Sequence, residues 1–141
     1  MPAARSSAKS QVSLTTIGQI AVRATDLDRA VAFYRDTLGA TFLFRVPNLA
    51  FFQFGEVRMM LSPAEDPEFD HPSSVIYYKV DDIDGAYRTL KAAGVEFRDE
   101  PHLIARLPDH DLWMVFLLDS EGNTLGLMCE KRPRQYPKEP K

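Results

Sequence analysis

The sequence predicts an α+β fold in which two copies of a strand–helix–three-strand (βαβββ) unit form one domain. The first observation is an internal repeat, because Asp26–Ala30 (DLDRA) recurs as Asp82–Ala86 (DIDGA) at an offset of 56 residues. The second is that each copy follows one strand pattern and precedes several others. The third is size: neither half of a 141-residue chain could bury a sheet and a helix alone, so both halves should share one core.

Residues 17–62 form the predicted first module. Ile17–Ala24 alternates apolar and polar side chains, which is typical of a strand. Asp26 stands where a helix N-cap belongs, and Gly39 stands where the helix should end. Between them runs an apolar helical stripe: Leu27, Ala30, Val31, Tyr34 and Leu38. Three strand candidates follow: Thr41–Val46, Ala50–Phe54 and Val57–Ser62.

Residues 74–130 form the predicted second module, after a linker at 63–73 that contains three prolines and four acidic residues. Val75–Val80 is predicted as a strand, Asp82 as a helix cap and Gly94 as the helix stop. The apolar stripe of this helix repeats that of the first: Ile83, Ala86, Tyr87 and Leu90. Four strand candidates follow: Val95–Arg98, His102–Arg106, Leu112–Leu118 and Thr124–Glu130.

The composition excludes several classes of protein. A content of 45% hydrophobic and 26% charged residues is typical of a globular domain. No apolar run approaches the ~20 residues that a membrane helix needs. Cys129 is the only cysteine, which excludes an internal disulfide and a cysteine-based zinc cluster. A reducing compartment fits this cysteine usage, so we expect a cytoplasmic protein.

The charge is unevenly distributed along the chain. The net charge is −3, yet residues 17–130 hold 10 basic and 19 acidic residues. So acidic a segment would repel phosphates, and we therefore expect no nucleic acid as a partner. The lack of a long apolar run is the reason that we expect no membrane partner either. The two ends, residues 1–15 and 132–141, lack apolar periodicity, and we expect both to be flexible tails, the second of them basic.

Two stretches carry a resemblance to a known family. The run QIAVRATDLDRAVAFYRDTLGATF contains the pattern D-L-x-x-A-x-x-F-Y-x-x-x-L-G, and DSEGNTLGLMCE closes the second module. Over residues 17–130 the chain resembles the vicinal oxygen chelate superfamily, which includes glyoxalase I, bleomycin-resistance proteins, extradiol dioxygenases and methylmalonyl-CoA epimerase. The resemblance implies one domain at residues 16–131, with the curved sheets of paired βαβββ modules around a cavity, and it implies a homodimer.

The resemblance also implies four positions that hold a divalent cation in the metal-dependent members. In this sequence those positions are occupied by Gln19, Met60, Val75 and Gly126. Glutamine can serve as an oxygen ligand, but the other three side chains offer a hard cation neither oxygen nor imidazole. We therefore expect no metal ion. We also expect no cofactor, since the sequence lacks a dinucleotide-binding or phosphate-binding loop motif.

Strand alternation predicts which side chains line the cavity. If Val22 and Ala24 face the helix, the cavity side receives Gln19, Ala21 and Arg23. The same alternation and the repeat add further side chains: Arg58, Met60, Ser62, Val75, Tyr77, Lys79, Thr124, Gly126, Met128 and Glu130. Such a lining suits a hydrophobic or aromatic small molecule, with Gly126 keeping the space open. The alternative is that Met60, Val75 and Met128 fill this space themselves.

The stretch at 101–119 adds three candidate ligand-binding residues: His102, His110 and Trp113. Imidazole is the natural acid–base group near neutral pH, which makes His102 a candidate catalytic residue. Tyr77 and Gln19 are further candidates, as polar groups of the cavity. His102 opens a strand and could point inward, whereas His110 lies in an acidic turn that we expect to be solvated unless it folds over the mouth of the cavity. A displaced metal site of His102, His110 and Glu130 is an alternative, although nothing in the sequence holds the three together.

Three functions remain open at this point. The first is metal-independent binding of a hydrophobic or aromatic small molecule. The second is a glyoxalase-like lyase, isomerase or dioxygenase with an atypical or absent metal site. The third is a divergent module whose cavity no longer binds a ligand and whose partner is another protein. A bound ligand would separate the first two from the third, and turnover abolished by chelation would identify a metal enzyme.

Overall fold

The chain forms two four-stranded mixed sheets in a computed structural model that describes residues 12, 14–63 and 71–132. The first module consists of β1 (Gln19–Arg23), α1 (Leu27–Ala32), β2 (Thr41–Val46), β3 (Leu49–Phe54) and β4 (Val57–Ser62). Its strands are ordered β1-β4-β3-β2, with β1 parallel to β4 and the other pairs antiparallel. The predicted tails and linker lie largely outside the described residues.

The second module repeats this arrangement. It consists of β5 (Ile76–Lys79), α2 (Ile83–Ala92), β6 (His102–Arg106), β7 (Asp111–Leu118) and β8 (Thr124–Lys131). Its strands are ordered β5-β8-β7-β6, again with the first strand parallel to the last. The predicted βαβββ repeat is therefore confirmed. In the described part of the chain, no helix is long and apolar enough to cross a membrane.

The predicted strand at Val95–Arg98 is wrong. Only an isolated bridge forms there, between Phe97 and Leu117. The Oδ1 atom of Asp99 accepts the backbone N–H of Phe116 at 2.9 Å, so a side chain takes the donor that a longer strand would have used. The ladder therefore stops after one bridge.

Both helices begin at the predicted caps. The Oδ1 atom of Asp26 accepts the N–H of Arg29 at 3.1 Å, and that of Asp82 accepts the N–H of Gly85 at 3.0 Å. These bonds satisfy backbone donors that a helix start leaves unpaired. The first helix then continues as a wider π-helical segment, Phe33–Thr37, after which the chain leads into β2.

A single hydrophobic core holds residues of both modules. Its largest fully buried apolar side chains come from each of them: Tyr34, Phe52, Met59, Leu61, Ile83 and Leu117. Phe54 and Tyr78 meet across the module boundary, with ring centroids 5.0 Å apart. Since both modules contribute to the core, each one covers apolar surface that the other would leave exposed, as the repeat predicted.

A buried polar turn, Asp119–Asn123, joins the second module to the start of α1. The Glu121 side chain is fully buried and accepts hydrogen bonds from Thr25 Oγ1 at 2.9 Å, the Asp26 N–H at 2.8 Å and Arg29 Nε at 2.8 Å. Burial alone would raise the pKa of Glu121, but these donors outweigh it and lower the pKa from 4.5 to about 2. The carboxylate therefore stays charged and ties the two modules together.

Two further side chains of this turn complete the junction. The Oδ2 atom of Asp119 accepts the Tyr34 hydroxyl at 2.7 Å. Asn123 donates to the Arg23 carbonyl at 2.8 Å and accepts the Ser73 N–H at 3.0 Å. These contacts hold the end of β1 and the approach to β5 side by side.

Candidate functional site

Each sheet has one face against the core and one face turned away from it, which we name the open face. On the first sheet, alternate residues of β1 and β4 are buried on the core side, such as Val22, Met59 and Leu61. The side chains between them lie on the open face: Gln19, Ala21, Arg23, Arg58, Met60 and Ser62. This is the division that strand alternation predicted.

The structure brings three of the predicted site residues together on this open face. Gln19 lies opposite Arg58 in the register of β1 and β4, and Ala21 lies opposite Met60. The Gln19 Nε2 atom lies 3.8 Å from the Met60 sulfur, a long contact with a weak acceptor. Gln19, Arg58 and Met60 therefore form one continuous strip.

Two aromatic side chains on the same face were not predicted. Phe44 stacks on Phe51, with ring centroids 4.7 Å apart and an interplanar angle of 27°. Phe51 is buried, whereas Phe44 is 46% exposed. The Arg58 guanidinium carbon lies 6.0 Å from the centre of the Phe51 ring. The open face therefore presents an exposed aromatic ring close to a positive charge.

A β-bulge explains why strand alternation misses Phe44. The register of β2 against β3 shifts between Phe42 and Phe44, so Phe42 pairs with Phe52 on the core side and Phe44 pairs with Phe51 on the open face. Without the bulge, residues two apart in a strand would share a face. A register shift at the corresponding place recurs in β6 of the second module.

A groove of about 650 Å³ lies beside the strip, where the two modules meet. Its lining combines apolar residues such as Leu49 and Met60 with several polar ones: Arg23, Ser62, His71, Ser73 and Ser74. The Arg23 N–H donates to Ser73 Oγ at 2.8 Å, which holds the start of the second module against β1. The volume falls within the range of small-molecule pockets, roughly 300–1,000 Å³.

On the second sheet, Tyr77 and Gly126 lie opposite each other in the register of β5 and β8. A Cβ atom added to Gly126 would lie 2.7 Å from Tyr77 Cδ2 and 3.3 Å from Phe116 Cε1. The expectation that Gly126 keeps a cavity open is therefore wrong, because the Tyr77 ring already occupies that space. Tyr77 is itself 46% exposed, and Val75, which precedes β5, is 41% exposed.

His102 lies on the open face of the second sheet. It pairs with Met114, which in turn pairs with Met128 of β8. Its Nδ1 atom lies 2.8 Å from the Glu100 carbonyl oxygen. Tyr77 belongs to the opposite edge strand, and the two strands between them separate it from His102 by roughly 14 Å at the usual strand spacing. These two catalytic candidates therefore do not converge.

The other two residues of this stretch lie elsewhere. Trp113 pairs with the buried Cys129 on the core side of the second sheet, and the Lys131 Nζ atom lies 4.3 Å from its ring centre. This placement corrects the prediction that Trp113 faces the cavity. His110 lies in the loop between β6 and β7, where its Nδ1 is 2.8 Å from Asp109 Oδ1. A hydrogen bond from His110 lowers the pKa of Asp109.

The candidate metal set of His102, His110 and Glu130 is not assembled. Glu130 lies 3.5 Å from Lys79 and 2.8 Å from Arg132, while each histidine contacts its own sequence neighbours. Within residues 12, 14–63 and 71–132, no three histidine, cysteine or acidic side chains are grouped so that they could hold a metal ion.

Comparison with known proteins gives a match over most of the chain. The family model of the Glyoxalase/Bleomycin resistance protein/Dioxygenase superfamily matches residues 16–127. A protein described by the same three names, from Nocardioides, has 25% sequence identity and a TM-score of 0.68, covering 90% of this chain and 93% of that chain. A lactoylglutathione lyase from Agrobacterium tumefaciens has 26% identity and a TM-score of 0.61, covering 81% and 92%. TnmS3, an antibiotic binding protein from Streptomyces sp. CB03234, has 20% identity and a TM-score of 0.70, covering 86% and 100%. No curated protein matches the chain.

Proposed function

The chain belongs to the Glyoxalase/Bleomycin resistance protein/Dioxygenase superfamily, and from this premise we propose that it binds a hydrophobic or aromatic small molecule without a metal ion. The observation that carries the proposal is the aromatic surface of the open faces, where Phe44 and Tyr77 are each 46% exposed. Rings left this accessible favour an apolar partner. The groove of about 650 Å³ beside Met60 offers space for one. TnmS3, which has the same fold, is an antibiotic binding protein, and this is consistent with a small-molecule ligand.

The side chains at the four metal positions of the family support binding without a metal. Of the four, only Gln19 carries an oxygen ligand, and its amide contacts the Met60 sulfur. Gly126 has no side chain to offer and lies beneath the Tyr77 ring. A hard divalent cation needs several oxygen or imidazole ligands, which this set does not supply.

A second copy of the chain is proposed as the protein partner. Apart from the two rings assigned to the ligand, exposed apolar side chains lie at edge strands of the two sheets: Leu43 and Val46 on β2, Ile104 on β6 and Leu107 directly after it. A two-fold dimer would bury the same edge-strand side chains on both subunits and leave Phe44 and Tyr77 to the ligand. The buried free thiol of Cys129 is consistent with a cytoplasmic location.

A second candidate function is a glyoxalase-like lyase or isomerase activity. It is favoured by the 26% identity to lactoylglutathione lyase. Its acid–base group would have to come from the exposed Tyr77 or from His71, which lines the groove, because His102 lies at the far edge of the second sheet. Gln19 would serve only as a hydrogen-bonding amide. Turnover of a ligand that is lost in Tyr77→Phe would favour this function over binding alone.

Replacing Phe44 with serine tests the binding proposal. The variant should bind a neutral aromatic dye, N-phenyl-1-naphthylamine, roughly three- to tenfold more weakly in a fluorescence titration, since a stacking partner is lost. The thermal melt should barely change, because Phe44 is 46% exposed. Leu14→Ser is the matched control: Leu14 is 93% exposed but lies outside both sheets, so its removal should leave dye affinity unchanged. Wild-type protein that fails to bind the dye would contradict the proposal.

A further inference from the structure

The charge of the first sheet differs from that of residues 17–130 as a whole. Residues 17–130 hold 19 acidic and 10 basic residues, yet none of the four strands β1–β4 contains an acidic residue. Two arginines, Arg23 and Arg58, lie on the open face of these strands. The four strands themselves therefore give a ligand on this face positive charge and contribute no carboxylate.

The Arg58 guanidinium makes a different kind of contact from three other arginines of the first module. Arg29 pairs with Glu121 at 2.8 Å, Arg35 with Asp36 at 2.8 Å, and Arg45 with Asp28 at 2.6 Å. In the described part of the chain no carboxylate pairs with Arg58, whose guanidinium instead lies over the Phe51 ring at 6.0 Å. An aromatic ring holds a guanidinium in place without neutralising it, so its charge remains available to a ligand.

The position of Arg58 also matches the exposed aromatic surface. Phe51 lies beneath Arg58 and stacks on Phe44, whose ring is open to solvent. A planar ligand packed beside Phe44 would therefore lie about one ring width from the Arg58 guanidinium. Arg23 lies opposite Ser62, four residues along β4 from Arg58 and thus roughly 13 Å away, too far to share one carboxylate with it.

We propose that the ligand of this site is an aromatic carboxylate, whose ring packs beside Phe44 and whose carboxylate takes the paired N–H donors of Arg58. This inference rests on the proposed function and specifies its ligand class. Carboxylate and guanidinium are planar and match in two parallel hydrogen bonds, which makes the pairing selective as well as strong.

A matched pair of probes tests the inference: 2-naphthoate, which is anionic, and 2-naphthamide, which has the same ring and no charge. Wild-type protein should bind naphthoate about tenfold more tightly than naphthamide in isothermal titration at low salt, and the advantage should shrink as salt is added. Arg58→Gln should remove most of this advantage and leave naphthamide affinity unchanged. Arg45→Gln is the matched control, because Arg45 pairs with Asp28 of α1 and does not face the ligand.

The possible outcomes distinguish a failure of the carboxylate assignment from a failure of the proposed binding function. Equal affinity for the two probes in wild-type protein would overturn the carboxylate assignment while leaving the binding function intact. Failure of naphthoate, naphthamide and the neutral dye alike would overturn both. Equal losses of naphthoate affinity in Arg58→Gln and Arg45→Gln would show that the preference for naphthoate comes from the net charge of the protein. That result would also overturn the assignment. Thermal melts of both variants should match wild type, since both arginines are exposed.

Discussion

Tyr77 fills the space that Gly126 leaves in the second sheet, and this pairing decides what that open face offers to a ligand. A glycine inside a strand has no side chain to pack and weakens the sheet. A cross-strand aromatic ring can cover such a glycine, and here Phe116 supports the ring from the next strand, with centroids 5.8 Å apart. The result is a tyrosine ring held at a fixed place with part of its surface exposed.

Gly126→Leu should therefore destabilise the protein by about 1–3 kcal/mol, as overpacking does, because a side chain there collides with the rings of Tyr77 and Phe116. Urea denaturation measures the change. Adding Tyr77→Ala provides the control, since the smaller side chain makes room and the double variant should lose less than the sum of the two single changes. Unchanged stability of Gly126→Leu alone would show that the ring does not rest on the glycine.

Among the elements, local patterns predicted most boundaries but not all side-chain directions. Thr41–Val46 and Val57–Ser62 have their predicted bounds. The bulge in β2 could not be predicted, because an extra residue changes the register against β3 without changing the apolar pattern. The face of Phe44 depends on that register, so an aromatic residue central to the proposed binding surface was missed.

The turn between β7 and β8 shows a second limit of local patterns. Within this turn, Glu121 contacts Thr25, Asp26 and Arg29, which lie 92–96 positions away in the sequence. An acidic residue in a turn is ordinarily solvated. Only the docking of the two modules buries this one and gives it donors.

Glu121→Gln should destabilise the protein by about 1–3 kcal/mol near neutral pH, because a buried carboxylate that accepts from charged Arg29 and from neutral donors is replaced by a neutral amide. The pKa of Glu121 lies at about 2 in the folded protein against an ordinary 4.5. A lowered pKa contributes stability that is present above about pH 5 and is lost as the pH falls towards 2. The difference in unfolding free energy between wild type and variant should therefore shrink over that interval.

Urea denaturation at several pH values checks this expectation. Glu96→Gln serves as the control, since Glu96 is exposed and its replacement should change the free energy of unfolding little at any pH. A wild-type advantage over Glu121→Gln that stays constant down to about pH 3 would show that the carboxylate is not stabilised in the folded protein.

For the molecule as a whole, strand alternation predicted the strip of Gln19, Arg58 and Met60 because burial alternates cleanly in β1 and β4. Strand alternation did not place Trp113 correctly. Which β7 side chains face the core is set by the pairing of β7 with β8, and that pairing puts Trp113 beside Cys129. Nearness in sequence had grouped Trp113 with His102, but the two side chains face opposite sides of the sheet. Positions within one strand were predictable, whereas positions set by pairing between strands were not.

The central claim, that a small aromatic molecule binds here without a metal ion, is tested most directly by the dissociation constant of the neutral dye before and after exhaustive chelation. The metal content of both preparations is measured alongside it. The side chains at the four family metal positions predict well under one divalent cation per chain and the same dissociation constant in both preparations. A stoichiometric metal ion whose removal abolishes dye binding would contradict the claim.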